Sequence, residues 1–574
     1  AANRSSVLDV LRGVPGLQVT QPGGRGGVAS VFIRGGEPNF TMVLLDGVRV
    51  NDPNNTRGGS FDFSTLSVGD IERIEIVRGP QSAIYGSDAL SGVINIITRG
   101  GADELGASVQ AEVGEDDYQR AGLSLAGPLA GNGGFALRAA TTDDGEATPG
   151  NTYISDSIAG KLEFGSTDGA HVRLFGRYSD NEGTSFPEDS GGPELAVLRR
   201  LDSKSSTDVS AGVVGGLRLS ESWRLNVSAG RYDHEDRYDS PGVAPGLRAP
   251  VPPNRGRSKL DRLSLSAHAV GDLTENLRAT VGVDYHDEDG TSESFVEVFP
   301  GFSLPSGFEL DRSVTGVFGE LQYRATTELA LLASLRHDDP DGETGETTTK
   351  LGAVYDLNEG RTTLRANWGE GFKLPSFFAL GSALVGNPDL KPEKSESADL
   401  GVTQRIDRDL TATLTVYRNE FTDLIDFDFD LFTSVNRKSV TANGAELAID
   451  WAVRSDLGLF AEVAYLDLDV KDSDVSLRQR PEWRGSAALR WHVTPDWKLD
   501  AEWLLVGETF DSSIPTDGLM LDGYNRLDAT VTWRATERTD WLLSVDNLLD
   551  TEYAEAIGFP SPGRRARLAL RYRF

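Results

Sequence analysis

The sequence predicts an all-β membrane protein: a 22-stranded antiparallel transmembrane β-barrel over residues 104–574, with an N-terminal α+β plug domain, residues 1–103, inside its lumen. Three observations carry that prediction. From about residue 104 to the end, apolar and polar side chains alternate with a period of two, as in strands with two unlike faces. Ten short polar turns alternate with eleven longer, acidic, Gly/Pro-rich loops, which makes twenty-two strands if both chain ends lie on the short-turn side. The first hundred residues follow a different, Gly-punctuated pattern, and a barrel this wide needs something besides its own side chains to fill it.

Composition removes several classes. Lys and Arg number 56 against 88 Asp and Glu, a net charge of −32, which argues against a nucleic-acid partner. No run approaches the roughly 18 apolar residues of a membrane helix. With zero Cys there is no disulfide framework, thiolate metal site or thiol nucleophile. Residues 1–20 show neither a basic nor an apolar signal region, so any export signal is expected upstream or removed.

Along the chain, Ser6–Leu11 has helical spacing and meets the breakers Gly13 and Pro15. Short strands are expected at 31–35, 43–47, 71–79 and 92–98, each an apolar run bounded by Gly or polar residues. In the repetitive region the last strand shows its two faces best: Ala566, Leu568, Leu570, Tyr572 and Phe574 against Arg565, Arg567, Arg571 and Arg573. The segments 410–416 and 497–503 repeat the pattern. A soluble sandwich would alternate too, so the turns decide. Short ones fall near 129, 166, 221, 273, 326, 358, 407, 455, 495 and 537. Short turns on one side, long loops on the other and aromatic residues flanking the apolar faces describe an outer-membrane barrel.

Five ordered motifs then resemble a known family. Val31-Phe32-Ile33-Arg34-Gly35-Gly36, Leu44-Leu45-Asp46-Gly47-Val48, Ile74-Glu75-Ile76-Val77-Arg78-Gly79-Pro80, Ala83-Ile84-Tyr85-Gly86-Ser87-Asp88-Ala89 and Gly92-Val93-Ile94-Asn95-Ile96-Ile97-Thr98 resemble the plug motifs of TonB-dependent outer-membrane receptors. Gly371-Phe372-Lys373-Leu374-Pro375-Ser376, Gly386–Glu393, Val545–Asp550 with Tyr553, and the terminal Phe574 resemble its barrel motifs. Leu44–Arg49, Tyr417-Arg418-Asn419 and Asp423–Asp426 are most similar to the vitamin B12 receptor branch. The resemblance implies active import across the Gram-negative outer membrane of a scarce large ligand, foremost cobalamin or a related corrinoid, with a ferric siderophore as the alternative within the same mechanism. It implies the TonB-ExbB-ExbD energy-coupling complex as partner, contact with outer-membrane lipid and lipopolysaccharide, a monomer, and no catalytic residues. No segment resembling a TonB box precedes Ser5, so that contact is expected upstream of Ala1 or trimmed away. A porin would lack the folded N-terminal region, a barrel hydrolase would need a spaced Ser/His/Asn constellation, and a receptor that only signals would need a further N-terminal domain.

The same resemblance marks candidate residues. Arg34 and Arg78 resemble plug arginines that meet barrel carboxylates, and Asp399 and Glu446 fall where those carboxylates stand; ordinary solvated charges are the alternative. Asp180, Asp189, Asp233 and Asp239 lie in acidic segments offering the hard oxygen ligands Ca²⁺ prefers, as the B12 branch does in its outer loops. In a chain of net charge −32, solvated loop carboxylates are the competing explanation. By position, Arg25 and Gly26 in a flexible glycine loop, and Asn51, Asn54 and Arg57 at the plug apex, are expected to face the substrate. Loops at 180–205, 234–258 and 288–311 should cover them, with Tyr178 and Tyr238 serving either the ligand or the aromatic girdle.

Three motifs are set aside. Gly24-Arg25-Gly26-Gly27-Val28-Ala29 matches a dinucleotide fingerprint but precedes a strand instead of joining strand to helix. Gly160-Lys161 is followed by Leu162, which excludes a P-loop, and no Gly-x-Ser-x-Gly elbow occurs. The six His form no i, i+4 pair and none lies between Phe372 and Leu390, which makes haem the least favoured iron ligand.

Overall fold

The computed structural model describes residues 3–574 apart from 131, 167–168, 247–248, 429, 438, 472–476 and 512–518. Twenty-two antiparallel strands form a closed wall that begins with Gly106–Gly114 and is completed where that strand pairs with the last one, Arg565–Arg573. The faces of the last strand explain why the wall suits a lipid surround. Leu568 and Tyr572 point outward, 43% and 36% exposed, whereas Arg567 points inward, 2% exposed, against Glu112 at 2.7 Å. Apolar side chains outside and paired charges inside invert a soluble sandwich. Trp497 stacks on Trp533 at 5.6 Å and Tyr572 meets Phe574 edge-on at 4.9 Å, beside the short turns.

Every expected short turn joins two consecutive wall strands; near 129 and 166 the flanking strands define it, because 131 and 167–168 lie outside the described residues. The loop expectations need correction. Strands run on through Ser185, Ser240 and Phe299 and resume at Asp202, Asn254 and Phe308. The connections are therefore 186–201, 241–253 and 300–307, the last carrying a short strand Phe302–Pro305 laid on the preceding one. Two of the eleven outer connections, 115–118 and 341–345, are tight turns. The reason is physical: beyond the hydrocarbon both faces are wet, so polar residues extend the ladder without a strict apolar alternation. Leu277–Phe299, at 23 residues, rises about 58 Å at ~3.3 Å per residue and ~40° tilt, about twice an apolar band of ~25 Å.

The plug is built from α1 (Val7–Leu11), β1 (Leu17–Thr20), β2 (Ser30–Ile33), β3 (Thr41–Leu45), β4 (Val48–Arg49), β5 (Ile71–Arg78), α2 (Ser82–Tyr85) and β6 (Gly92–Thr98). Ser6 caps α1 by accepting the Asp9 N–H at 3.2 Å. β3 and β6 are parallel, and the sheet order is β4-β3-β6-β5. Its core joins Leu8, Leu11, Val31, Ile33, Val43 and Ile94 to the wall residues Phe175, Tyr232 and Leu260. Plug and wall thus share one hydrophobic core.

Leu568→Arg, near the middle of a nine-residue strand, should destabilise the inserted protein by about 2–4 kcal/mol, read from urea unfolding in lipid bilayers.

Candidate functional site: the plug–wall latch and the outer vestibule

β2 ends at Ile33, and the turn that follows throws Arg34 into a left-handed conformation, φ +48°, with its guanidinium toward the wall. There Nε and Nη2 donate to the two carboxylate oxygens of Glu446 at 2.9 and 3.0 Å, both side chains 5% exposed. The Tyr417 ring lies 4.5 Å from the guanidinium carbon, and Asn419 donates to the Arg34 carbonyl at 3.1 Å. Arg78, at the end of β5, brings Nη1 to 3.9 Å from Glu446. Burial pulls the Arg78 guanidinium below its ordinary value, and the Glu446 charge works against that. Gly16 is required here: at φ +69° a Cβ would come within 2.1 Å of a Glu446 oxygen.

Three of the four expected latch residues therefore meet, and Asp399 does not. It accepts a hydrogen bond from Asn367 at 3.0 Å on its own wall face. The second latch is elsewhere. Lys161, on Thr152–Gly165, donates to Asp46 at 2.7 Å and to the Thr98 carbonyl at 2.6 Å, with the Lys and Asp side chains 3% and 5% exposed. In the sequence Lys161 served only to exclude a P-loop. The available signal was its place in the inward series Ser155, Ser157, Ala159, Lys161, a lone cation among small residues.

The plug's first segment is tied by further charges: Arg4 to Glu502 and, at 2.6 Å, Asp528; Arg12 to Glu555; and Asp9 to Arg526 at 3.7 Å. Toward the outer side Lys204 meets Asp62 at 2.8 Å, and Arg262 donates to the Arg49 and Asn51 carbonyls at 3.2 and 2.7 Å.

Most of the residues expected at the ligand are engaged within the protein. The glycine loop is no open apex: the Gly26 N–H donates to Asn151 at 3.0 Å, and a Cβ on Gly26 would lie 2.1 Å from the Thr184 carbonyl oxygen. Arg25 is buried over the Tyr153 ring, 3.6 Å from Asp144. Absent side chains let this loop seal against the wall backbone. Asn51 braces the plug, accepting from Val43 N–H and donating to the Thr41 and Gly59 carbonyls, and Asn54 donates to the Lys259 carbonyl. Tyr178 stands on the outward face, 43% exposed beside Ile158 and Val209, and belongs to the lipid-facing surface. Tyr238 lies on the inward register of its strand near Gly256.

The four aspartates do not build one coordination shell. Asp180 accepts from Thr207 at 3.0 Å, Asp233 pairs with Arg231 at 3.1 Å, and these two and Asp239 share the outward register, while Asp189 faces Arg478 at 3.5 Å in the loop 186–201. Among the described residues no three His, Cys, Asp or Glu come together as metal ligands.

Arg57, at the apex, remains partly open, 29% exposed, and Tyr238 is also only partly buried. Arg57 reaches the Glu188 carboxylate and donates to Ser30 Oγ at 3.2 Å. The wall loop 374–392 folds over the same apex, where its short helix Phe377–Gly381 donates the Phe378 N–H to the Pro53 carbonyl at 3.2 Å.

Comparison with known proteins gives a consistent result. Residues 1–93 match the family model for the TonB-dependent Receptor Plug Domain, and residues 109–548 match the TonB dependent receptor-like beta-barrel. The vitamin B12 transporter BtuB of Vibrio cholerae serotype O1 is 26% identical over 594 aligned positions, covering 99% of this chain and 89% of the transporter. Among solved structures, the ferripyoverdine receptor of Pseudomonas aeruginosa superposes with a TM-score of 0.84 at 17% identity, covering 99% of this chain and 84% of that one. The siderophore receptor PirA of Acinetobacter baumannii gives 0.81 at 19%, covering 100% and 96%.

Glu446→Ala leaves the Arg34 guanidinium buried without its carboxylate and should cost about 3–5 kcal/mol of plug stability, while Arg34→Met/Glu446→Leu should recover most of it. A double-mutant cycle of urea midpoints, read by fluorescence of a probe on the plug, checks both values.

Proposed function

The chain belongs to the TonB-dependent receptors of the Gram-negative outer membrane, and from that membership we propose that it imports cobalamin or a related corrinoid. The observation that carries the substrate is the likeness to vitamin B12 transporters along 99% of this chain. The geometry supports energised import over diffusion. A plug that shares its core with the wall and is pinned by two buried ion pairs, Arg34–Glu446 and Lys161–Asp46, does not drift aside thermally. Buried pairs are costly to break once formed, which suits a latch that yields to a pull from TonB. Ligand binds above the apex, the pull reaches the plug through its N-terminal segment, and the ties of Arg4, Arg12 and Arg34 to Glu502, Glu555 and Glu446 give way before the sheet does.

Titration of the detergent-solubilised protein with cyanocobalamin, beside a panel of ferric siderophores, tests this. Saturable corrinoid binding is expected; a siderophore hit without corrinoid binding would overturn the substrate and leave the transport mechanism in place.

A further inference from the structure

At the floor of the outer vestibule two arginines from different parts of the chain share one acidic turn. Arg57 comes from the plug apex and reaches Glu188; Arg478 comes from the wall loop 471–482 and faces the adjacent Asp189 at 3.5 Å. Glu188 and Asp189 lie on the single turn Glu188–Ser190, set between Pro187 and Gly191, whose φ is +84°. Arg478 also holds Asp511 at 2.9 Å, which in turn accepts the Ile557 N–H at 2.8 Å. One short turn therefore couples the plug apex to three outer connections.

Both pairs are partly wet. The Arg57, Glu188, Arg478 and Asp189 side chains are 29%, 39%, 29% and 41% exposed, in contrast to 5% for Arg34 and Glu446. Ion pairs this exposed contribute about 0–1 kcal/mol, so a ligand oxyanion with contacts of its own can replace the internal carboxylate. A pair sealed like Arg34–Glu446 offers no such exchange. Arg478 also has an unmet demand: its Nη2 is buried and has no hydrogen-bond partner. Here two guanidiniums, Arg57 and Arg478, meet three carboxylates, Glu188, Asp189 and the fully buried Asp511.

We propose that Arg57 and Arg478 form an anion subsite for the imported ligand, and that the Glu188-Asp189 turn is an internal stand-in which the ligand's oxyanion displaces. This rests on the import reading above and narrows its ligand to one presenting an accessible phosphodiester or carboxylate. Displacement frees Arg57 from the loop 186–201, so occupancy is felt at the plug apex without any movement of the buried latch.

Two probe pairs separate the sources of the oxyanion. Cyanocobalamin carries a phosphodiester that dicyanocobinamide, with the same corrin ring, lacks; ferric dicitrate is rich in carboxylates, whereas ferrioxamine B is a cation. Binding of each to the full-length, detergent-solubilised protein is measured for the wild type and for Arg57→Gln, Arg478→Gln, Arg57→Lys and Glu188→Gln. Each Gln variant of the arginines should weaken the oxyanion-bearing probe at least tenfold and leave its partner unchanged, Arg57→Lys should restore part of the loss, and Glu188→Gln should tighten binding. Equal effects on both members of a pair, or no effect on a probe the wild type binds, overturn the subsite while the import reading stands. Binding confined to a ferric probe overturns the corrinoid and still judges the subsite by its arginine variants. If none of the four binds, both fall.

Discussion

A wall of 22 strands encloses more space than its own side chains can fill, and everything else in this molecule follows from how that space is occupied. The wall's inner face is polar because its outer face has been given to lipid. Lumenal charges such as Glu446, Lys161 and Arg262 sit away from bulk water and need partners. The plug supplies Arg34 to Glu446, Asp46 to Lys161 and two backbone carbonyls to Arg262, whose carboxylate partner Glu288 is in the wall, so the barrel and its obstruction share their charges.

The pairing is uneven in a useful way. Along the first third of the plug most cations belong to the plug and most carboxylates to the wall, as in Arg4–Asp528, Arg12–Glu555 and Arg34–Glu446, with Asp9–Arg526 the reverse. Around the sheet and apex the pattern is largely reversed, with wall Lys161, Lys204 and Arg262 reaching plug carboxylates and carbonyls. Burial grades these contacts further. The sealed pairs resist exchange and hold position, while the partly wet pairs of Arg57 and Arg478 at the vestibule can trade partners with a ligand.

Several residues lie elsewhere than their place in the chain suggested, because chain position does not give spatial direction. The glycine loop 24–27 looked like an open apex, yet missing side chains let it close on the wall at Thr152 and Thr184. Asp233 belongs to a segment that reads as an acidic outer loop, and Tyr178 reads as either a ligand contact or part of the girdle; both stand on strands, and a period of two sends each to the outward face. Asp399 accepts a hydrogen bond from its wall neighbour Asn367 and not from a plug arginine. Lys161 reads in the sequence only as the residue that excludes a P-loop, because no motif marks it as a partner for Asp46.

By itself the sequence determined the strand number, the side on which the turns lie, the helix at Ser6–Leu11 and the plug strands, while a resemblance marked Arg34, Arg78, Asp399 and Glu446 as candidates without pairing them. Each of these is written locally, in a two-residue period, a breaker, or a motif with fixed internal spacing. Only the tertiary structure decided which lumenal charges meet, how far the strands run past the membrane, and which apex residues stay open to the vestibule. Those depend on register around a closed barrel and on the seating of the plug within it, where one strand's stagger moves a side chain from lumen to lipid.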